Sequence, residues 1–272
     1  MILSDNHIHS CFSSDSTTSL EDIANTAISL GLESICITDH HDIDFVINPA
    51  QPQMNFQLDT ANYLIALTKL KENYTGRLDI RFGVELGLMS TVMDKVADYL
   101  NQYQFDFIIG SSHLVNGLDP FLSSYYEGKT DVQAYREYFE SILENINLTK
   151  DYDVYGHLDY VVRYGPSKDK NYFFKDYIDI FEAILKKIIN QGKGIEVNTA
   201  GLYKGLPFPH PKMEILALYK QLGGEIITIG SDAHLPKYLG HSFSIVNELL
   251  LNTGFEYYST FKNRKPYFHP LT

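Results

Sequence analysis

The chain has 272 residues, 44% hydrophobic and 21% charged, which is enough apolar material for a full core and the balance of a globular rather than a disordered or fibrous protein. Its formal net charge of −12 argues against a nucleic-acid surface, because phosphate backbones are met with Lys and Arg. No apolar run reaches the roughly 18 residues of a membrane span, the N-terminus lacks a basic region leading into an apolar one, and two cysteines, Cys11 and Cys36, cannot make a disulfide framework, so a cytoplasmic protein is expected.

Strand-like runs alternate with helical patterns along the whole chain. The runs are ILSDNHI (2–8), SICITDH (34–40), DIRFGVEL (79–86), FDFIIGSSH (105–113), DVYGHLD (153–159), KGIEVNT (193–199) and EIITIGSDAH (225–234). Helical periods fall between them at 19–32, 59–74, 130–146, 175–192 and 211–224, and Gly192 and Gly223 supply stop signals for the last two. Strand and helix repeated in this way predict a parallel sheet, and about seven such units predict a closed or nearly closed barrel. No Ser/Gly-rich linker or break in composition interrupts them, so residues 1–272 read as one domain. Three stretches break the rhythm, at 41–58, 114–129 and 201–211, and the first reads as a long loop on the barrel rim.

Six of the ten histidines stand at or just beyond the downstream end of a strand: His7, His9, His40, His113, His157 and His234. Asp15, Glu85 and Asp232 occupy equivalent places. In a parallel barrel all of these ends open onto one face, so nine ligand-type side chains converge there. Strand alternation points His7 and His9 of NHIH to the same side, and SDAH repeats the spacing with Asp232 and His234. Imidazole and carboxylate donors suit zinc, iron or manganese, and nine are too many for one ion but enough for two or three with Glu85 bridging.

The motifs NHIHSCFSSDS, ITDHHD, GSSH and GSDAH, with GVELG and YGHLDYVVRYG between them, make the chain resemble the PHP superfamily, named for polymerase and histidinol phosphatase, over essentially its whole length. Length and the two intervening motifs point to its histidinol-phosphate phosphatases. The resemblance implies a single-domain distorted (β/α)7 barrel with a metal cluster at the C-terminal ends of the strands, and hydrolysis of L-histidinol phosphate to L-histidinol and phosphate in histidine biosynthesis. It implies one metal at His7, His9, Glu85 and Asp232, a second at Glu85, His113 and His157, and a third at Asp15, His40 and His234. Two to three divalent ions (Zn, Fe or Mn) would bind the phosphate oxygens and activate a bridging hydroxide. The leaving alkoxide needs a metal or an acid, for which Asp232 and His234 both stand open.

Outside the cluster, Arg163 in LDYVVRYG is the expected phosphate clamp, because a guanidinium fork matches phosphate geometry; a surface salt bridge is the alternative. His41 either touches the substrate or caps a loop. Where the family often has an arginine this chain has Tyr203, so Tyr203 or Lys204 would replace its hydrogen bond. His210, His241 and His269 read as surface or loop residues, and SSYYEGKT (123–130) as packing, or as a cover for the pocket.

A phosphodiesterase, an exonuclease or a phosphatase of another ester or nucleotide would use the same cluster, but the acidic balance gives no basic groove for nucleic acid. An amidohydrolase-like barrel would place a lysine at a strand end, where none stands. A non-catalytic metal-binding module would show a broken ligand set, and this one is intact. The expected partner is a small phosphate ester, with no nucleic acid and no membrane.

Overall fold

The strands that read as continuous apolar runs, rather than alternating ones, are those buried on both faces of a barrel. In chain order the elements are β1 (Ser4–Ile8), α1 (Leu20–Ser29), β2 (Ser34–Ile37), β3 (His40–His41), α2 (Thr60–Tyr74), β4 (Asp79–Gly87), α3 (Met93–Leu100), β5 (Phe107–Ser111), α4 (Asp131–Leu148), β6 (Val154–Tyr155), α5 (Ile178–Asn190), β7 (Gly194–Asn198), α6 (Ala200–Tyr203), α7 (Met213–Gln221), β8 (Ile227–Gly230), α8 (Phe243–Asn252), β9 (Tyr257–Lys262) and β10 (Lys265–Pro270). The computed structural model describes residues 1–45 and 55–272, so the middle of the loop expected at 41–58 lies outside the described residues.

β1, β2, β4, β5, β6, β7 and β8 pair in that order, each parallel to its neighbours, and the short β3 pairs β4 at its downstream end. The ring closes just past β1 and β8, where the Asp232 N–H donates to the His7 carbonyl at 2.8 Å and the His9 N–H to the Ala233 carbonyl at 3.0 Å. This is the distorted (β/α)7 barrel that the resemblance implies. β2, β5, β7 and β8 are buried at every residue.

Amphipathic helices form the outer layer. α5 turns Ile180, Phe181, Ile184, Leu185 and Ile188 inward, a stripe of helical spacing in which each buried side chain contributes about 1.5–3 kcal/mol. α4 opens on a capping box between Thr130 and Gln133. The chain turns out of α5 and α7 at Gly192 and Gly223, whose φ values of 69° and 89° favour glycine.

The C-terminal hairpin has no counterpart in the sequence reading, nor do α3 and α8. β9 and β10 turn through Asn263 and Arg264, both left-handed at φ 49° and 62°, as a two-residue hairpin turn requires. The hairpin closes the N-terminal end of the barrel. Phe261 stacks on Phe107 at 5.0 Å, the Arg81 guanidinium donates to the Phe261 carbonyl at 2.9 Å, and Arg264 Nε donates to Asp153 at 2.6 Å. Among the described residues no helix is long and apolar enough to cross a membrane.

Candidate metal centre

The opposite end of the barrel gathers all nine expected donors. His7 comes from β1 and His9 from just past it, His40 from β3, Glu85 from β4, and His113, His157, Asp232 and His234 from the turns after β5, β6 and β8, with Asp15 on the loop before α1. His7 Nε2 lies 3.0 Å from His9 Nε2 and 3.2 Å from Glu85 Oε2, while Asp232 Oδ1 lies 3.3 Å from His9 Nε2 and 3.8 Å from His7 Nε2. The other Glu85 oxygen, Oε1, meets His157 Nε2 at 2.8 Å and His113 Nε2 at 3.1 Å. Asp15 Oδ2 meets His234 Nε2 at 2.9 Å and His40 Nε2 at 3.6 Å, and His40 Nδ1 reaches Glu85 Oε2 at 3.0 Å.

Glu85 is therefore the hub, with one oxygen toward each of two groups of histidines. Burial alone would raise its carboxyl, but His7, His40 and His113 outweigh burial and hold it well below the usual range. Burial likewise opposes protonation of His113, yet Asp42 and Glu85 push it up to about 10. His9 goes the other way, lowered to about 3 by burial and by His234 and His40.

Hydrogen bonding alone leaves this site unresolved. His40 Nδ1, Glu85 Oε2 and His234 Nε2 are buried without a hydrogen-bonded partner, although each lies beside the other donors of the cluster. Orphaned buried polar atoms are costly, and a shared cation is what satisfies a set of converging nitrogen and carboxylate lone pairs. The residues fit a divalent-metal centre. Asp232 takes a left-handed φ of 54°, backbone strain of the kind that the surrounding contacts must hold in place.

Behind the cluster stand groups that the sequence reading missed. Asp42 grips His113 Nδ1 at 2.9 and 3.0 Å through its two oxygens. A Cβ at Gly87 would lie 1.8 Å from Asp42 Oδ1, so the glycine of GVELG makes room for that carboxylate. Ser13 donates its hydroxyl to Asp39 at 2.7 Å and so accepts from His9 Nδ1 at 3.2 Å. Glu196, a buried acid inside β7, was likewise missed; an ionisable residue in the middle of a wholly buried strand was the available signal.

The cluster floors a cavity of about 490 Å³, walled by Phe45, Phe56, Phe121, Tyr160 and Tyr164. Arg163 enters it over the faces of Tyr160 and Tyr164, at 4.7 and 4.9 Å, with Nη1 3.7 Å from Asp232 Oδ2. It is buried, so the surface salt-bridge alternative does not apply. Asp119, not singled out in the sequence, is the carboxylate of the described lining that takes no part in the cluster; Phe121 N–H donates to its Oδ1 at 2.8 Å.

One expectation, for His210, needs correction, and three open alternatives are narrowed. His41 is turned out of the pocket: its ring stacks on Tyr99 at 3.9 Å and its Nδ1 accepts from the Leu58 N–H, because strand alternation sends it away from His40. Tyr203 lines the pocket, but its hydroxyl is spent on the Asp232 carbonyl at 2.7 Å, leaving exposed Lys204 as the free polar group of that pair. His210 is fully buried, paired with Asp159 at 2.6 Å. Tyr125 and Tyr126 of SSYYEGKT donate to backbone carbonyls beneath the rim, the packing role, while Phe121 and Leu122 face the pocket.

A seven-stranded parallel barrel with a divalent-metal centre at its C-terminal face is the architecture of this class of metal-dependent phosphoesterases. The PHP domain model matches residues 5–200, and the chain belongs to the PHP domain family. It is 32% identical over 267 residues to the histidinol-phosphatase of Lactococcus lactis, which covers 96% of this chain and 95% of that protein. It is 26% identical over 263 residues to the histidinol-phosphatase of Bacillus subtilis, over 88% and 96% of the two chains. The crystal structure of the Lactococcus lactis histidinol phosphate phosphatase complexed with zinc, L-histidinol and phosphate matches with a TM-score of 0.88 at 31% identity, over 97% of this chain and 98% of that one.

Proposed function

We propose that this chain is a metal-dependent phosphomonoesterase that hydrolyses L-histidinol phosphate to L-histidinol and phosphate in histidine biosynthesis. The observation that carries the reading is one cavity holding three things together: the donor cluster, a buried guanidinium beside it, and an independent carboxylate among aromatic walls. A phosphate, an amine and an imidazole are what such a set complements, and two relatives that align with most of the chain are named for this activity.

His7, His9, Glu85 and Asp232 would hold one ion, Glu85, His113 and His157 a second, and Asp15, His40 and His234 a third. Zinc, iron and manganese all suit these donors, with zinc supported by the Lactococcus lactis complex. When bound, the ions supply Lewis acidity toward the phosphate oxygens and toward water. The remaining steps belong to the protein. Arg163 offers two N–H groups to the phosphate, held in place by Tyr160 and Tyr164. Asp232 turns Oδ1 to the histidines and Oδ2 toward Arg163 and the pocket, so Oδ2 is the atom placed to take the proton of the attacking water and return it to the leaving alkoxide. His234 is less well placed, because Nε2 faces Asp15 and Nδ1 faces the Asp232 carbonyl. Asp119 meets the ammonium end of the substrate, and the aromatic walls take its ring.

The test is turnover by purified protein loaded with zinc or manganese. L-histidinol phosphate should be cleaved with kcat/KM at least about tenfold above p-nitrophenyl phosphate, the cost of losing one charged contact. Equal turnover of the two overturns the substrate assignment.

A further inference from the structure

We propose that Glu196 is a positioning residue that sets which nitrogen of His7 is free to bind metal, and that it ties His7 to the His157 turn. This rests on the reading of His7 as a metal ligand.

Glu196 is 1% exposed and its two oxygens do different work. Oε1 lies 2.6 Å from His7 Nδ1. Oε2 accepts the His157 backbone N–H at 3.1 Å and the Asn198 amide at 3.2 Å. The orientation of that amide is fixed from its other end, because the Asn198 Oδ1 accepts from the Ala200 N–H at 2.9 Å. A carboxylate has no hydrogen to donate, so His7 Nδ1 must carry the proton, and Nε2, the atom facing His9 and Glu85, presents its lone pair.

The surrounding backbone is shaped for this side chain. A Cβ at Gly230 would fall 2.4 Å from Glu196 Oε1 and 2.3 Å from His7 Cβ. The glycine of GSDAH therefore leaves the space in which the carboxylate joins β1 to the turn after β6. One side chain sets the tautomer of His7 on one side and holds the main chain of His157 on the other.

The near-isosteric Glu196→Gln change has a specific consequence. Two N–H groups point at the Oε2 position, so the amide oxygen settles there and the NH2 turns to His7 Nδ1. That nitrogen must then accept, which moves the ring proton to Nε2 and takes away the ligand atom.

The experiment is competition of zinc between a chromophoric chelator and wild-type, Glu196→Gln or Glu196→Asp protein, with nitrogen-15 spectra of the histidine rings in the metal-free forms. Expected are a loss of zinc affinity of about 10–100-fold at one site in Glu196→Gln, an Nε2-protonated His7, and partial recovery in Glu196→Asp, which restores an acceptor facing His7. Unchanged zinc affinity in a folded Glu196→Gln protein, or an Nδ1-protonated His7 in it, overturns the proposal. If Glu196→Gln does not fold, a folded Glu196→Asp protein must bind zinc with a deficit smaller than tenfold and keep Nδ1 protonated, and an Nε2-protonated ring there overturns it. Wild-type protein that binds no zinc overturns the ligand reading itself.

Discussion

The Nε2 atoms of His7 and His9 face each other at 3.0 Å, while their Nδ1 atoms are engaged by Glu196 at 2.6 Å and Ser13 at 3.2 Å. The Ser13 hydroxyl hydrogen is committed to Asp39, so Ser13 accepts from His9 Nδ1. Both rings therefore aim a lone pair at the same point, an arrangement that a shared cation stabilises and bulk water would not.

Metal loading should release protons. In the metal-free protein His113 has its pKa raised to about 10, because Asp42 and Glu85 outweigh the opposing effect of burial. The His113 ring is protonated at pH 8, whereas ligation needs it neutral, so zinc displaces protons and its apparent affinity rises with pH. The sign for the metal-free fold follows. A raised histidine contributes stability in full below its unfolded value near 6.5, and for His113 that stability is lost as pH rises through about 10. Zinc titration at pH 8 in weak buffer with an indicator dye measures the release; a titration that released none would sink the account.

The donors were legible because histidine and carboxylate at a strand end carry their chemistry in their identity, and seven strand-like runs supplied the common face. What stood behind them was not. Asp42 is 71 residues from His113 and Glu196 is 189 from His7, so those pairings exist once the barrel closes and not before. His210 was misread for the same reason, its partner Asp159 being 51 residues away. The C-terminal hairpin hid behind its turn: Asn263 and Arg264 are both left-handed without a glycine, with Arg264 held by the Asp106 carbonyl and Asp153, so tertiary contacts stand in for the usual Asn-Gly signal.

Arg163→Lys should keep the fold and lose phosphate. Lysine keeps the charge but not the planar fork, nor the stacking on Tyr160 and Tyr164. Losing one charge-assisted hydrogen bond costs roughly 1.5–3 kcal/mol, so kcat/KM should fall about 10–100-fold and inhibition by inorganic phosphate should weaken in parallel. A lysine variant with unaltered phosphate inhibition would place the anion elsewhere in the pocket.

Asp119→Asn separates the two ends of the substrate. Burial pushes the Asp119 carboxyl up from its usual range, and an ammonium beside it would offset that cost. KM for L-histidinol phosphate should rise by roughly tenfold, while a simple alkyl phosphate without an amine should be cleaved as before. If both substrates suffer equally, Asp119 acts on the metal centre and not on the amine.

Tyr203→Phe tests what stands where the family often has an arginine. The Tyr203 hydroxyl donates to the Asp232 carbonyl at 2.7 Å, and its ring stacks on Tyr238 at 4.0 Å. Phenylalanine keeps the stack and removes the hydrogen bond at a residue whose backbone is left-handed. The Asp232 carbonyl retains the His234 Nδ1 contact at 3.0 Å, so the loss should be about 1 kcal/mol, or a melting temperature lower by roughly 2–4 °C. KM and inhibition by phosphate should stay within about twofold of wild type, because a hydroxyl already committed to the main chain gives the substrate nothing to lose. A large rise in KM with an unchanged melting temperature would mean instead that Tyr203 releases Asp232 when substrate binds and takes up the phosphate itself.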